Sequence, residues 1–319
     1  MRRTAPLCAR HRSFTTDPGT AAVAPSVPMF PGFDRRQFLL NLTAGALLPR
    51  PAAAAGLRVA SMDWALAETM LALGREPIAI VAAADWARFV VEPKLPREVV
   101  DLGLQQQINF ELLASLRPDL ILTSPFLADA EPILQKIAPT LRLSIFEKST
   151  EPLSQPHAIA RTLGDRLGCP EAAENYLRAA DRLLDSYRER MRALQPRPVL
   201  LVNFVDPRHV RVYGGAGLYH GVLDRIGVAN AWTGETSYWG YATVGVERLA
   251  TARDLRLIAF DPIPADARRT LEQSPLWTQL PFVRAGHVTE FPTIFMFGAM
   301  PSALRFARLL VEKLEVLEK

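Results

Sequence analysis

Between Glu171 and Leu194 the chain runs through more than twenty residues without a glycine or a proline, until Pro196 and Pro198 stop it. Such a run predicts a single helix ~36 Å long at 1.5 Å per residue. Tyr176, Leu177, Leu183, Leu184, Tyr187 and Met191 give it an apolar stripe, and Arg, Glu and Ala fill the rest. On either side short β-rich runs alternate with helical ones. Strands are expected at 57–61, 78–82, 99–102, 120–123 and 142–146, with helices at 65–73, 109–116, 130–137 and 156–167. Beyond the long helix, strands are expected at 199–204, 210–213, 257–260 and 288–291, with helices at 218–226, 268–273 and 302–317. Continuous apolar strands such as Leu120-Ile121-Leu122, each followed by a helix, indicate parallel sheet covered on both faces. The expected architecture is therefore α/β: two Rossmann-like lobes joined by one long helix, with the ligand cleft between them. The divisions expected are a leader at 1–55, an N-terminal lobe at 56–168, a linking helix at 169–197 and a C-terminal lobe at 198–319. One rigid helix, in place of a Gly/Ser-rich hinge, implies small opening motions.

The leader changes the meaning of the charge balance. The whole chain carries 37 Lys+Arg against 33 Asp+Glu, a net of +4. Seven of those arginines and two of the aspartates fall in residues 1–55, so from Gly56 onward 30 basic residues face 31 acidic ones. The body thus makes no electrostatic case for nucleic acid. Within the leader, Phe33-Asp34-Arg35-Arg36-Gln37-Phe38-Leu39 precedes a mildly apolar run to Leu48 and then Pro49-Arg50-Pro51 and four alanines. This order of positive, apolar and small residues resembles a twin-arginine export signal, cleaved near Ala53–Gly56, and it is too short to span a bilayer. The apolar run holds no cysteine for a lipid anchor. Translation is expected to start at Met1 or at Met29, four residues before Phe33. Of the two cysteines, Cys8 falls in the leader, and Cys169 reads as a small packed hydrophobe.

Signals for catalysis are largely missing. No G-x-S-x-G, G-x-x-x-x-G-K-[ST], H-E-x-x-H or C-x-x-C occurs, and His11, His157, His209, His220 and His287 are scattered. No catalytic residue and no metal ligand are therefore assigned. An α/β enzyme built on Asp206, His209 and a serine is the chief non-binding alternative. Tyr213-Gly214-Gly215-Ala216-Gly217-Leu218 superficially resembles a dinucleotide loop, yet its spacing to Gly221 is one residue too long, so it reads as a tight strand-to-helix turn.

Aromatic residues outside the core pattern say more. Trp86 and Phe89 flank Arg88 in a segment without clean period; Tyr238-Trp239-Gly240-Tyr241 lies in a polar loop; Phe291, Phe295 and Phe297 cluster before Gly298. Large rings on loops at strand ends suit a concave site for a bulky, partly apolar ligand. Phe291 and Trp232 read as ordinary core.

Several stretches carry a more specific resemblance: Asp101-Leu102-Gly103-Leu104 leading to Asn109-Phe110-Glu111-Leu112-Leu113 and Arg117-Pro118-Asp119; Asp206-Pro207-Arg208-His209; Trp232-Thr233-Gly234-Glu235-Thr236; and Phe297-Gly298-Ala299 with Ser302-Ala303. On these the mature chain resembles the periplasmic ferric hydroxamate (ferrichrome-type) siderophore-binding proteins of ABC importers, a branch of the helix-linked substrate-binding proteins. The resemblance implies a monomeric carrier that holds iron(III) only through its siderophore and delivers it to a permease dimer in the inner membrane, with no cofactor of its own. It places Phe89, Trp239, Phe295 and Phe297 among the cleft aromatics. Gln105 and Phe126 stand where such proteins have an Arg and a Tyr that touch the hydroxamate oxygens; Arg88, Gln106 or Gln107 could substitute, and Tyr241 could restore a hydroxyl from the other lobe. Glu111 and Glu247, each early in a helical segment of one lobe, correspond to the carboxylates that dock into arginine pockets of the permease. Cobalamin or haem remains the rival ligand, with Tyr238 or Tyr241 as the axial candidates for haem.

Overall fold

Five strands of the N-terminal half lie parallel in the order β3-β2-β1-β4-β5, where β1 is Val59–Ser61, β2 Ala79–Ile80, β3 Val100–Asp101, β4 Leu120–Thr123 and β5 Thr140–Arg142. The computed structural model describes residues 56–145, 153–251 and 254–318. The leader with its paired arginines, and the predicted strand end at Phe146, lie outside the described residues. Gly56–Lys319 forms one compact unit.

Each strand of this sheet is short and is followed by a helical segment. After β1 comes α1 (Trp64–Ala72), whose N-cap Asp63 accepts hydrogen bonds from the backbone N–H groups of Ala65 at 2.9 Å and Leu66 at 3.2 Å. After β2 come a 3₁₀ turn at Ala83–Asp85 and the one-turn α2 (Trp86–Phe89). The helix α3 (Phe110–Ser115) follows β3, with Asn109 as its N-cap, and α4 (Glu131–Ile137) follows β4. Next is α5 (Ser154–Arg166). The strand expected at 142–146 sits earlier, at Thr140–Arg142, where it pairs with Ile121, Leu122 and Thr123.

The long helix is present as α6, Pro170–Leu194, with proline in its first turn and Gln195 left-handed at its C-cap. Its buried residues are Ala173, Leu177, Ala180, Leu184, Tyr187 and Met191. Their alternating spacing of four and three is the seam of a helix packed along one face. Leu183, expected in the stripe, is 38% exposed, because it falls beside the seam.

The second sheet has the order β10-β9-β6-β7-β8: β6 is Val199–Phe204, β7 His209–Tyr213, β8 Tyr241–Gly245, β9 Arg256–Phe260 and β10 Val288–Phe291. Strands β6, β9 and β10 are parallel, whereas β7 runs antiparallel to both β6 and β8. Strand β8 is a correction to the sequence reading, which left Tyr241 in a loop. Helix α7 (Leu218–Ile226) follows β7; α8 (Ala265–Gln273), α9 (Pro275–Thr278) and α10 (Pro281–Arg284) lie between β9 and β10. The closing helix α11 spans Met300–Leu317. Every residue of β9 is buried, and apolar clusters cover both faces of each sheet, which is why the central strands β4, β6 and β9 read as near-continuous apolar runs. Phe291 belongs to one cluster and Trp232 packs against another, as expected of core residues. Cys169 packs against the N-terminal core. No helix among the described residues is long and apolar enough to cross a membrane.

Candidate functional site

All five parallel strands end at one edge, and a cavity of about 530 Å³ opens there. The segments just past their carboxyl ends supply Met62, Asp63 and Trp64 after β1, Val81, Ala82 and Asp85 after β2, and Leu104, Gln105 and Gln106 after β3. Phe126 follows β4 and Ile145 follows β5. This is the place where open parallel sheets receive ligands, since the strand order reverses beside β1. The facing wall comes from the second lobe: Trp239, Tyr241, Phe295 and Phe297.

The rings form a continuous belt. Phe89 lies 6.2 Å from Trp64, and Trp64 lies 5.5 Å from Phe295 across the cleft. Phe295 meets Phe297 edge-on at 6.2 Å, and Phe297 meets Trp239 at 6.1 Å. Trp239 then stacks on Phe126, back in the first lobe, with centroids 4.8 Å apart and planes 20° from parallel. Offset and edge-on contacts of this kind satisfy the ring quadrupoles. The indole N–H of Trp64 donates to the carbonyl of Val81 at 2.7 Å, which fixes that ring to the end of β2.

Two carboxyl groups, Asp63 in the lining and Glu68 behind it, are both pushed up by burial. Asp63 caps α1, and burial pushes its carboxyl above the usual range, against the lowering pull of the Leu66 and Ala65 N–H groups that donate to it. Glu68, on the same helix, is wholly buried. It reaches the first turn of α11, accepting from the N–H of Ala299 at 2.5 Å, the hydroxyl of Ser302 at 2.7 Å and the N–H of Ser302 at 3.4 Å. The helix dipole favours a negative charge there. Burial still wins, and the Glu68 carboxyl is pushed up to about 8. A side chain at Gly298 would collide with both Ser302 and Glu68, so only glycine lets the Phe295–Phe297 loop close onto this clasp.

The loop bearing Trp239 is held by a second close approach. Gly240 has φ +74°, and a Cβ there would strike the backbone of Gly217; the N–H of Gly214 donates to the Gly240 carbonyl at 3.0 Å. The glycine-rich strand-to-helix turn at 214–217 therefore exists to let this loop lie flat on it.

Of the residues expected in the site, Gln105, Phe126, Trp239, Tyr241, Phe295 and Phe297 line the cavity, with Gln106 as a further neutral polar group. Four do not. Trp86 is a core residue, 2% exposed, packed behind Trp64 with its N–H donated to the Pro93 carbonyl at 2.8 Å. Phe89 stands one ring removed from the cavity, behind Trp64. Arg88 is exposed and holds its guanidinium 5.0 Å from the Phe89 ring centre. Tyr238 is half exposed and meets Trp239 edge-on at 5.1 Å. Gln107 is likewise outside. Trp64, Asp63 and Asp85 escaped the sequence reading. A tryptophan immediately after the first strand was the available signal, because that strand sits at the switch point of the sheet.

Other candidates fall elsewhere. Asp206 and His209 pair at 2.8 Å in the exposed turn between β6 and β7, where Asp206 also accepts from the N–H groups of Arg208 and His209; they close a hairpin and do not line the cavity. Backbone and imidazole donors hold the Asp206 carboxyl below its usual range. Among the described residues no group of three His, Cys, Asp or Glu side chains is arranged to hold a metal ion. Glu111 and Glu247 are both exposed in the first turns of short helices, α3 and the 3₁₀ segment Val246–Thr251.

Comparison with known proteins agrees with this architecture. The chain is 33% identical over 285 residues to the iron(3+)-hydroxamate-binding protein FhuD of Escherichia coli, covering 88% of this chain and 96% of that protein. It is 24% identical over 244 residues to a putative ABC transporter substrate-binding lipoprotein of Bacillus subtilis, covering 72% of this chain and 74% of that one. Among solved structures, the Fe3+-Desferal-bound siderophore-binding protein FhuD from Vibrio cholerae superimposes with a TM-score of 0.76 at 25% identity, over 82% of this chain and 98% of its own. A model of the periplasmic binding protein family matches residues 59–294, from the first strand to the loop that carries the cavity's phenylalanines, and the chain belongs to that family.

Proposed function

We propose that this protein captures an iron(III)–siderophore complex, of the hydroxamate type, in the cleft between its lobes and delivers it to an ABC permease for iron uptake. The observation that carries the reading is the belt of rings around a cavity of about 530 Å³, a size suited to a bulky organic ligand. The relatedness to a hydroxamate-binding protein of E. coli supports the same ligand class. Iron here is cargo, held by the chelator's oxygens, and the protein performs no catalysis. The lobes, 56–168 and 198–319, work as a monomer about the link at 169–197. Export through the Arg35-Arg36 leader, cleaved near Ala53–Gly56, delivers it to the periplasm.

Intrinsic fluorescence tests the ligand directly, because Trp64 and Trp239 face the cavity. Saturable quenching by a ferric hydroxamate is the expected outcome. Quenching by haemin or cobalamin alone transfers the site to those ligands, with Tyr241 as the lining tyrosine a haem would use. Glu111 and Glu247 serve the permease. Reversing both charges, Glu111→Arg with Glu247→Arg, is expected to abolish uptake in cells while leaving ligand quenching intact; undiminished uptake by the double variant removes them from docking.

A further inference from the structure

The cavity's charge balance narrows the ligand further, given the siderophore reading above. Its described lining holds two carboxylates, Asp63 and Asp85, and no Lys, Arg or His. Asp63 is committed to the first turn of α1 through Ala65 and Leu66. Asp85 is half-buried, and among the described residues no cation or donor engages its side chain. Two arginines adjoin the walls without lining the cavity: Arg88 over the Phe89 ring at 5.0 Å and Arg211 over the Tyr241 ring at 5.1 Å. Gln105 and Gln106 are neutral. The remaining surface is largely aromatic, and ring faces are themselves electronegative. Asp85 is therefore the carboxylate of the described lining that no hydrogen bond engages, and the ring faces around it have the same sign.

We infer that the cavity sorts ferric chelates by net charge, and that Asp85 makes it favour a trihydroxamate carrying a protonated amine arm over neutral ones and exclude anionic chelates. The chemistry of the cargo makes this a real choice. Three hydroxamates neutralise iron(III), so the periphery alone sets the net charge of such a complex; a free amine makes it +1. Three catecholates leave the complex at −3, and carboxylate chelators are also anionic. A unit charge about 6 Å from a carboxylate, at an effective dielectric near 20, changes affinity by roughly a hundredfold, and an open, partly hydrated cleft reduces that toward tenfold.

The test is a set of quenching titrations with three probes: ferrioxamine B, its N-acetylated neutral counterpart, and a ferric tris-catecholate. The expected order of affinity is cationic, neutral, then trianionic, with about a tenfold step between the first two that shrinks as salt rises. Asp85→Asn is expected to erase most of that step, and Asp85→Lys to invert it, with circular dichroism confirming that both variants are folded. Equal affinity of the wild-type protein for the cationic and neutral hydroxamates overturns the inference, as does a preference that survives Asp85→Asn. If none of the three chelates quenches, the siderophore reading itself has failed. If all three bind alike, that reading stands and the charge filter alone is lost.

Discussion

In the N-terminal lobe five parallel strands end at one edge, and eleven of the fifteen cavity-lining residues come from the segments just past those ends. The C-terminal lobe contributes four, all of them aromatic. The difference follows from strand direction. Parallel strands return by crossover helices, so each one delivers its following loop to the same side. In the second sheet β7 and β8 turn back on their neighbours, so loops leave at both edges and fewer can face the cleft. The first lobe thus supplies all the carboxylates and amides of the cavity, and the second supplies rings. It also follows that the first wall is anchored by the sheet itself, whereas the second, apart from Tyr241 at the start of β8, hangs on loops that need separate fastening, at Glu68 for Phe295 and Phe297 and at Gly240 for Trp239.

Removing a fastening should damage the second wall and spare the first, and the largest effect is expected at Glu68. Glu68→Ala deletes a buried side chain and leaves the N–H groups of Ala299 and Ser302 and a hydroxyl without their acceptor. Together these are worth about 3–5 kcal/mol of folding stability, measurable by urea unfolding. A loss below about 1 kcal/mol would show that the clasp holds nothing. Glu68→Gln separates shape from charge. The folded carboxyl ionises near 8, above the ordinary value of 4.5 that applies to the unfolded chain. The folded state therefore keeps its proton longer. Stability is full below the unfolded value, falls by up to about 1.4 kcal/mol for each pH unit across that window, and levels off above 8. Glu68→Gln should flatten this slope; a slope unchanged in the variant assigns it to other groups.

Next in size is the contrast between the two tryptophans. Trp64 is tied to Val81 and packed between rings of both lobes, whereas Trp239 rides on the loop and shares its face with Phe126. Truncating a large ring at the centre of a binding site costs about 2–3 kcal/mol of affinity, and one at the rim about 1–2 kcal/mol. Trp64→Ala is accordingly expected to weaken ferric hydroxamate binding more than Trp239→Ala does. The reverse ranking in paired titrations would mean that the loop wall, with all its dependence on fastenings, does most of the holding.

The same division explains what could be read from the chain before its structure. Strands 120–123 and 199–204 fall where expected, because buried parallel strands are written as near-continuous apolar runs; the strand at 288–291 and the helix at 218–226 also fall where expected. The long helix lacked only its first proline. Strand β8 was missed because it lies at a sheet edge, with Tyr241, Ala242, Val244 and Gly245 half-buried and Thr243 exposed, and carries no such run. Within the site, the rings of the second lobe were legible, since they interrupt polar loops. The first lobe's contribution was not: Trp64 and Asp63 look like the start of an ordinary helix, and only their place after β1 at the sheet's switch point gives them meaning. Trp86 misled for the matching reason. It shares a one-turn helix with Phe89, and neither sequence period nor composition tells which of two rings turns inward.

The smallest expected effect concerns which lobe donates a hydroxyl to the ligand. Phe126, stacked on Trp239, brings no hydroxyl to the first wall, and the tyrosine that lines the cavity is Tyr241, held under Arg211 in the second. A hydrogen bond from a neutral phenol to a hydroxamate oxygen is worth about 0.5–1.5 kcal/mol. Tyr241→Phe should then weaken ferric hydroxamate binding by roughly three- to tenfold without altering stability measured by urea unfolding. Phe126→Tyr adds a hydroxyl from the opposite wall and can keep the ring stacked on Trp239. In the Tyr241→Phe background it should recover most of the loss if the ligand accepts a donor from either side. Recovery in the double variant makes the two walls interchangeable for this contact. A loss at Tyr241 that Phe126→Tyr leaves uncorrected makes the second lobe, for all its reliance on rings, the side that orients the chelate.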